Sequence, residues 1–424
     1  MGVTTKKNLS GQAGAMIRRH FRSPRVGRYL PPLGNEFVSV EALSGLVLLG
    51  AAVLALVWAN IDPSSYTDVW GHELTLGIGD ASISLSLAHW INDTLMTLFF
   101  FVVGLEIKRE LVEGELRDRR NAVLPVLAAL GGMVLPAVIF LSVNAGGAGA
   151  DGWGIPMATD IAFSLGVLAV LGTSVSSGVK LFLLTLAIVD DIGAILVIAV
   201  FYTSDLRTEW LLGALGTVAV VVLMRRLGVQ RSALYLMPGF ALWLCLYEAG
   251  VHATIAGVVL GLLTPVIPGP TAGPAERLEH RLHPWSSFVV VPLFALANAG
   301  VVLGAGAIER ASTSAVTWGV AAGLVVGKVV GITVLTLLAL RFGLGRLPAG
   351  MRARQVVGVA AVAGIGFTVS LFVADLSFTG ALLDDAKIGI LGASVTAGVL
   401  GAILLRLTPG PSNDQTIDSK HEGA

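Results

Sequence analysis

Charge is what this chain has least of. Only 13% of its 424 residues are Asp, Glu, Lys or Arg, where a soluble protein carries about 25%. With 54% hydrophobic residues and a mean hydropathy of +0.81, too little polar surface remains to cover a water-soluble globule. That excludes a cytosolic enzyme, a nucleic-acid binder and a disordered scaffold. A single cysteine, Cys245, excludes an intrachain disulfide. No acid precedes Glu36, although seven Lys and Arg residues do, from Lys6 to Arg28. The balance of 28 basic against 28 acidic residues names no partner until the charges are placed. Glycine is plentiful, at 52 residues, which suits close helix contacts and breaks inside a membrane.

A spanning helix needs about 20 mostly apolar residues. On that measure the chain reads as an all-α polytopic membrane protein with about twelve transmembrane helices. The expected spans are 41–59, 90–108, 122–144, 154–173, 179–201, 209–225, 233–247, 249–266, 286–304, 314–340, 355–376 and 386–406. They form one membrane domain, 36–407, between a basic tail (1–35) and a polar tail (408–424). An even number of spans puts both termini on one side. All the Lys and Arg residues except Arg207, Arg310, Lys387 and Lys328 then fall on the side of the N-terminal tail. Under the positive-inside rule that side is the cytoplasm. The Arg18-Arg19 pair is not an export signal, because no short apolar stretch with a cleavage site follows it at the right distance. Most tryptophans, among them Trp58, Trp90, Trp153 and Trp285, sit near span ends, as an interfacial belt requires. Around Gly79-Asp80, residues 74–78 and 83–87 alternate apolar and polar. Period-two alternation about a turn reads as a small extracytoplasmic β-hairpin, with a structureless loop as the alternative.

Ionisable residues inside spans are costly, so each needs a reason. Asp190 and Asp191 sit in Leu186-Ala-Ile-Val-Asp-Asp-Ile-Gly-Ala-Ile-Leu. Neighbours on a helix point about 100° apart, so the pair cannot chelate as a flat clamp. It can offer two carboxylates to one cavity, or be a structural pair with one acid bound to Lys328. Asp160 follows Pro156 and Thr159 in Gly154-Ile-Pro-Met-Ala-Thr-Asp. The proline removes a backbone donor, and the polar side chains can satisfy freed groups. This predicts an interrupted fourth span. The eleventh carries a second candidate break at Gly364-Ile-Gly366-Phe-Thr368-Val-Ser370, unless those glycines only serve packing. Interrupted helices at corresponding places in two halves point to a transporter's midplane site. Lys328, in Leu324-Val-Val-Gly-Lys-Val-Val-Gly, is too deep to snorkel and must pair with an acid or face the negative ends of half-helices. Asp93 begins the second span and can be simply interfacial.

Near the cytoplasmic face, Glu106, Arg109 and Glu110 share neighbouring turns of one helix face. Glu279, His280 and His283 lie in a basic loop before the ninth span. These residues are either a solvated charge cluster or a proton-sensing surface, since histidine titrates near neutral pH. Two histidines alone are weak evidence for zinc. His252 is either a packing residue or a further member of the sensing set.

Taken in order, Ile91-Asn-Asp-Thr-Leu-Met, Val103-Gly-Leu-Glu-Ile-Lys-Arg-Glu, Ala158-Thr-Asp-Ile-Ala-Phe, Ala187-Ile-Val-Asp-Asp-Ile-Gly-Ala-Ile, Gly250-Val-His-Ala-Thr, Leu278-Glu-His-Arg-Leu-His-Pro-Trp, Gly327-Lys328 and Gly364-Ile-Gly-Phe-Thr resemble the NhaA family of bacterial sodium/proton antiporters. The resemblance runs from about Glu36 to Arg406. It implies an inverted-repeat core, about 122–201 and 314–406, in which the fourth and eleventh helices cross through extended breaks. An interface side, about 41–108 and 209–304, and a hairpin-assisted homodimer are also implied. So are the roles: Asp191 as the main cation ligand, Asp190 joining it and paired with Lys328, Thr159 supporting, and Asp160 balancing the positive half-helix ends.

Two carboxylates that hold either protons or Na⁺, never both, make an exchanger when the site faces each side in turn. The expected function is therefore electrogenic, pH-regulated export of Na⁺, and of Li⁺, against entering H⁺ across the bacterial inner membrane, serving sodium and pH homeostasis. No cofactor and no nucleic acid are called for. The metal ion expected at Asp190 and Asp191 is the transported Na⁺ itself. The rivals are a cation channel, which needs a continuous polar pore, and an intramembrane aspartyl protease pairing Asp160 with Asp191.

Overall fold

The computed structural model describes residues 35–78, 81–172, 175–203, 206–229, 231–267 and 273–408. The expected tails up to residue 34 and from residue 409, and the hairpin turn Gly79-Asp80, lie outside the described residues. In chain order, α1 (Asn35–Ile61) leads through a short helix, Pro63–Gly71, to the hairpin β1 (Glu73–Ile78) and β2 (Ala81–Ser86). A wide π turn, Ile91–Leu95, opens into α2 (Met96–Val112), followed by α3 (Arg119–Asn144). A tight 3-10 stretch, Ala150–Met157, precedes α4 (Ile161–Leu171). Next come α5 (Ser177–Phe201), α6 (Thr208–Arg226), α7 (Leu236–Glu248) and α8 (Ile255–Leu263). α9 (Pro274–Trp285) continues through a π turn, Ser286–Val290, into α10 (Val291–Asn298). After the short helix Ala305–Thr313, α11 (Ala315–Ala322) continues through the π turn Gly323–Gly327 into α12 (Lys328–Arg341). α13 (Gln355–Ala363), α14 (Phe367–Ser377) and α15 (Gly380–Leu407) complete the chain.

Helix dominates because a chain in lipid must satisfy its backbone groups internally. Among the described residues seven helical stretches are long and apolar enough to cross a membrane, and the bent pair α13–α14 makes an eighth. The other four expected spans, 90–108, 233–247, 249–266 and 286–304, form shorter or more charged helices. The ninth span shows why: its helix starts twelve residues earlier than expected, at Pro274, and ends at Asn298. Glu279, His280 and His283 therefore lie on a helix and not in a loop. The polar composition hides a helix start that Pro274 at the first helical position and Glu276 in the first turn mark locally. The expected hairpin is present, antiparallel, with Glu73 opposite Ser86 and Ile78 opposite Ala81. Trp90 Nε1 fastens it by donating to Leu74 O at 2.9 Å.

Glycine sets the closest helix contacts. Gly323, Gly327 and Gly331 recur every four residues and so share one face. That face lies against Pro136 and Gly131 of α3, where a Cβ on Gly331 would strike the Gly131 carbonyl. On a neighbouring face, Lys328 is left to point at a different element. Gly331→Leu is therefore expected to destabilise the protein by about 1–3 kcal/mol through overpacking, read as a lower melting temperature in detergent. An unchanged melting temperature would show that the two backbones are free to separate.

Two interruptions organise the centre. Before α4, Ala158 and Asp160 are extended, at φ −77° and −88°, where the 3-10 stretch that holds Pro156 ends at Met157. Between α13 and α14 the chain bends by 43° at Gly364-Ile365-Gly366. Neither glycine has a positive φ. Each is small because the chain is crowded at the break: a Cβ on Gly366 would come within 3.1 Å of Ala158 O. Asp160 N donates to Ile365 O at 2.6 Å, so the two breaks are hydrogen-bonded to each other.

Candidate functional site

Around the joined breaks, polar groups replace the missing helical bonds. Asp160 caps two helices at once. Its Oδ1 accepts from Phe163 N at 3.0 Å in the first turn of α4. Its Oδ2 accepts from Thr368 N at 3.0 Å and Thr368 Oγ1 at 2.7 Å in the first turn of α14. One carboxylate thus sits between two positive helix ends. Ser164 and Ser370 tie the breaks further, donating to Val362 O and Ile155 O.

The adjacent acids of α5 diverge as helical geometry requires. Asp190, 1% exposed, turns its Oδ2 to Lys328 Nζ and to Thr159 Oγ1 at 2.6 Å. Lys328, fully buried, also donates to Thr159 Oγ1 at 2.6 Å. The Thr159 hydroxyl has two acceptors in reach for its single proton, Asp190 Oδ2 and Ala363 O, the latter 2.9 Å from Oγ1. Thr159 therefore serves the carboxylate–ammonium pair, not a freed amide. Asp190 Oδ1 is buried without a hydrogen-bond partner. Asp191 is 5% exposed, and among the described residues nothing donates a hydrogen bond to it. Its electrostatic neighbours are Asp190, Glu106 and Asp160 on the negative side and Lys328 on the positive side. The five residues expected at the centre, Thr159, Asp160, Asp190, Asp191 and Lys328, do come together. Thr368, expected only as part of a break, joins them through Asp160.

This arrangement does not suit a protease dyad, because both oxygens of Asp160 are taken up by helix ends and no face is left to activate water. It does not suit a resident metal centre either. Among the described residues no three His, Cys, Asp or Glu side chains converge as one requires.

A second cluster joins α2 to α9. Arg109 Nη1 lies 3.0 Å from Glu279 Oε1, and His283 Nε2 lies 3.9 Å from Glu106 Oε1. Glu279 is 8% exposed and its Oε2 has no partner. Burial pushes its carboxyl up to about 7, against the pull of the Arg109 guanidinium. Glu110 turns back to accept from Glu115 N at 2.7 Å, and burial raises its pKa as well. His280 lies in a surface depression with Glu276, Arg277 and Arg281, whereas His283 faces Glu106, so the two histidines do not form a zinc pair. His252 does not join this cluster. Its Nε2 is buried without a partner, and its ring lies near the backbone of Tyr202 beyond the end of α5. Sequence reasoning passed over Ser164, Asn298 and Asp375. For Ser164 and Asn298 polarity on an otherwise apolar helix was the available signal, but an amide or hydroxyl costs too little to stand out beside a buried charge. Asp375 is a carboxylate next to the end of the expected span 355–376, where an acid reads as interfacial.

A profile of the family described as "Na+/H+ antiporter 1" matches residues 35–405. A curated relative from Frankia alni, Na(+)/H(+) antiporter NhaA 3, is 45% identical over 410 residues, covering 89% of each chain. The NhaA antiporter of Escherichia coli O1:K1 is 45% identical over 387 residues, covering 89% of this chain and 99% of its own. NhaA 1 of Klebsiella pneumoniae is 46% identical over 378 residues, covering 88% and 95%.

Proposed function

The chain belongs to the Na+/H+ antiporter 1 family, and on that premise we propose that it exports cytoplasmic Na⁺, and Li⁺, in exchange for external H⁺. It is a transporter and not an enzyme. Asp191 carries the reading: it is a nearly buried carboxylate to which nothing among the described residues donates, next to the unpartnered Oδ1 of Asp190. A carboxylate in a low-dielectric site is tolerated only when neutralised. A proton neutralises it, and so does a hard cation, which takes oxygen ligands. The two compete for the same oxygens, so occupancy by one expels the other.

In this mechanism Asp191 is the main ligand and proton carrier, and Asp190 supplies a second oxygen. Lys328 and Thr159 hold Asp190 in place. Asp160 pins the two half-helices so that their positive ends do not repel the cation. The breaks cross within a core of about 122–201 and 314–406, which rocks against an interface side of about 41–108 and 209–304 and exposes the site to each face in turn. Two carboxylates serving one monovalent ion favour unequal charge movement, hence electrogenic exchange. The positive-inside charge pattern supports an inner-membrane protein with both tails in the cytoplasm, and the hairpin supports a homodimer.

Sodium-induced proton efflux from proteoliposomes, followed across pH, tests this. Saturating, strictly proton-coupled flux supports exchange. Sodium flux that proceeds without proton movement would support the channel reading.

The Arg109–Glu279 and Glu106–His283 cluster is the proposed pH sensor, at the cytoplasmic mouth with Glu110 and His280. Glu279 is protonated below about pH 7. As pH rises through that value it ionises and adds negative charge where cations enter. Glu279→Gln keeps that position neutral, so the pH of half-activation is expected to move up by roughly half a unit with the maximal rate retained. Linkage gives a second readout. Because the folded-state value lies above the ordinary 4.5, the carboxyl's contribution to stability is full below about pH 4.5 and lost as pH rises to about 7. The variant should lack that decline. A fall in maximal rate with no movement of the midpoint would make the residue structural or conducting instead.

A further inference from the structure

Asn92, Asn298 and Asp375 form a closed polar network that the exchange reading leaves unused. Asn92 Nδ2 donates to Asp375 Oδ2 at 2.8 Å and to Asn298 Oδ1 at 3.1 Å. Asn298 Nδ2 donates back to Asn92 Oδ1 at 2.8 Å and to Phe294 O at 2.9 Å. Both amides are buried, and each uses both of its N–H donors. The three residues belong to three elements: the π turn before α2, the last residue of α10, and α14.

Along its own helical run Asn92 stands fourteen residues before Glu106, which is about 20 Å at the helical rise. The network therefore lies at the far end of the molecule from the Glu106 cluster. Between them Phe100 of α2 meets Phe372 of α14 with ring centroids 5.6 Å apart, and Phe372 meets Phe294 of α10 at 6.3 Å. The charged neighbours of Asp375 are Lys387 of α15 and Asp93. Asp384 also acts on Lys387, and His89 on Asp93.

In the division proposed above, α2 and α10 belong to the interface side and α14 to the core. The Asn92–Asp375 bond crosses that boundary. The pairs Arg109–Glu279 and Glu106–His283 do not, because both join α2 to α9. A rocking core must break the first bond to open at the Asn92 end, and it leaves the other two intact. We infer that the Asn92–Asp375 hydrogen bond, braced by Asn298, is a latch that closes the end remote from Glu106. Asp375 is then a positioning residue that sets the balance between the two facing states. This rests on the exchange reading.

The full-length protein in proteoliposomes, with Na⁺ supplied from one side at a time, supplies the first test. Losing one buried hydrogen bond to a charged group shifts a two-state balance by about tenfold. Asn92→Ala and Asp375→Ala should each raise the half-saturating Na⁺ at the Glu106 side and lower it at the opposite side. The double variant should go no further than either single one, since both remove the same bond. Asp375→Asn keeps an acceptor for Asn92 and should shift either side far less than Asp375→Ala does, because the bond persists in a weaker, neutral form. Amide hydrogen exchange in nanodiscs is a second readout that needs no transport. The alanine variants should exchange faster in 291–298 and 367–377, with 104–112 unchanged. The latch is overturned if Asp375→Asn matches Asp375→Ala, if both sides shift alike, or if the two alanine effects add. If the unaltered protein does not couple Na⁺ to H⁺, the function reading fails, and the latch stands or falls on amide exchange alone.

Discussion

Asp191→Asn is expected to abolish sodium-driven proton movement and leave a folded, membrane-inserted protein. The two outcomes separate because Asp191 makes no hydrogen bond among the described residues, so an amide of the same shape breaks nothing. Three of its four electrostatic neighbours are acids, and removing its charge relieves repulsion. Transport has no such margin. The substituted amide could not bind a proton in the relevant range, and a desolvated Na⁺ left with Asp190 alone would lose one of two charged ligands. Removing a charged partner from a low-dielectric site costs several kcal/mol, so the coupled rate should fall at least about a hundredfold. The check is proton efflux on adding sodium, beside a thermal melt of the purified variant. Coupled transport at the normal rate would remove Asp191 from the centre of the mechanism. Sodium flux that persists without protons would leave the residue as a gate to a conducting pore.

Lys328→Met should produce the reverse pattern, a large loss of stability. Lys328 is fully buried, and its ammonium meets Asp190 and Thr159. Methionine fills most of the space, so the loss reports charge and not a cavity. Asp190 is then left with one hydroxyl as its partner, and breaking a buried pair from one side costs about 3–5 kcal/mol. Asp190→Asn, which strands the ammonium, should cost a similar amount. The double variant Lys328→Met/Asp190→Asn should recover most of the stability, because neither charge remains to be compensated. Melting temperatures of the four proteins in one detergent close the cycle. Losses that simply add would mean that the two side chains are not energetically coupled.

These two variants mark how far the sequence could be read. Asp191 and Lys328 stood out because a charge within an apolar run is expensive wherever the run ends up. The break after Met157 was legible only in part. Pro156 marks the place by its missing donor, but Pro125 and Pro136 sit inside the unbroken α3, so proline by itself does not end a membrane helix. The start of α9 was masked by composition. Pro274–Trp285 is polar enough to read as a loop, although Pro274 at the first helical position and Glu276 in the first turn are local helix signals. What depends on the fold is the pairing of Glu279 with Arg109, far away in the chain. His252 was grouped with the wrong neighbours, since titration near neutral pH is a property of the residue type whereas its contact with Tyr202 is a property of the fold.

By itself the sequence determined what lipid enforces residue by residue: a polytopic helical chain, the hairpin, and which few charges had to find partners inside it. Tertiary structure decided which oxygen each charge meets. It gave Lys328 to Asp190 and left Asp191 without a donor among the described residues. It set Asp160 between two helix ends and carried Asn92 to Asp375. Hydropathy and helix breaking act within a few residues, and so they can be read along the chain. Pairing depends on side-chain direction and on backbones brought together by glycines such as Gly331 and Gly366, and it exists only once the helices have packed.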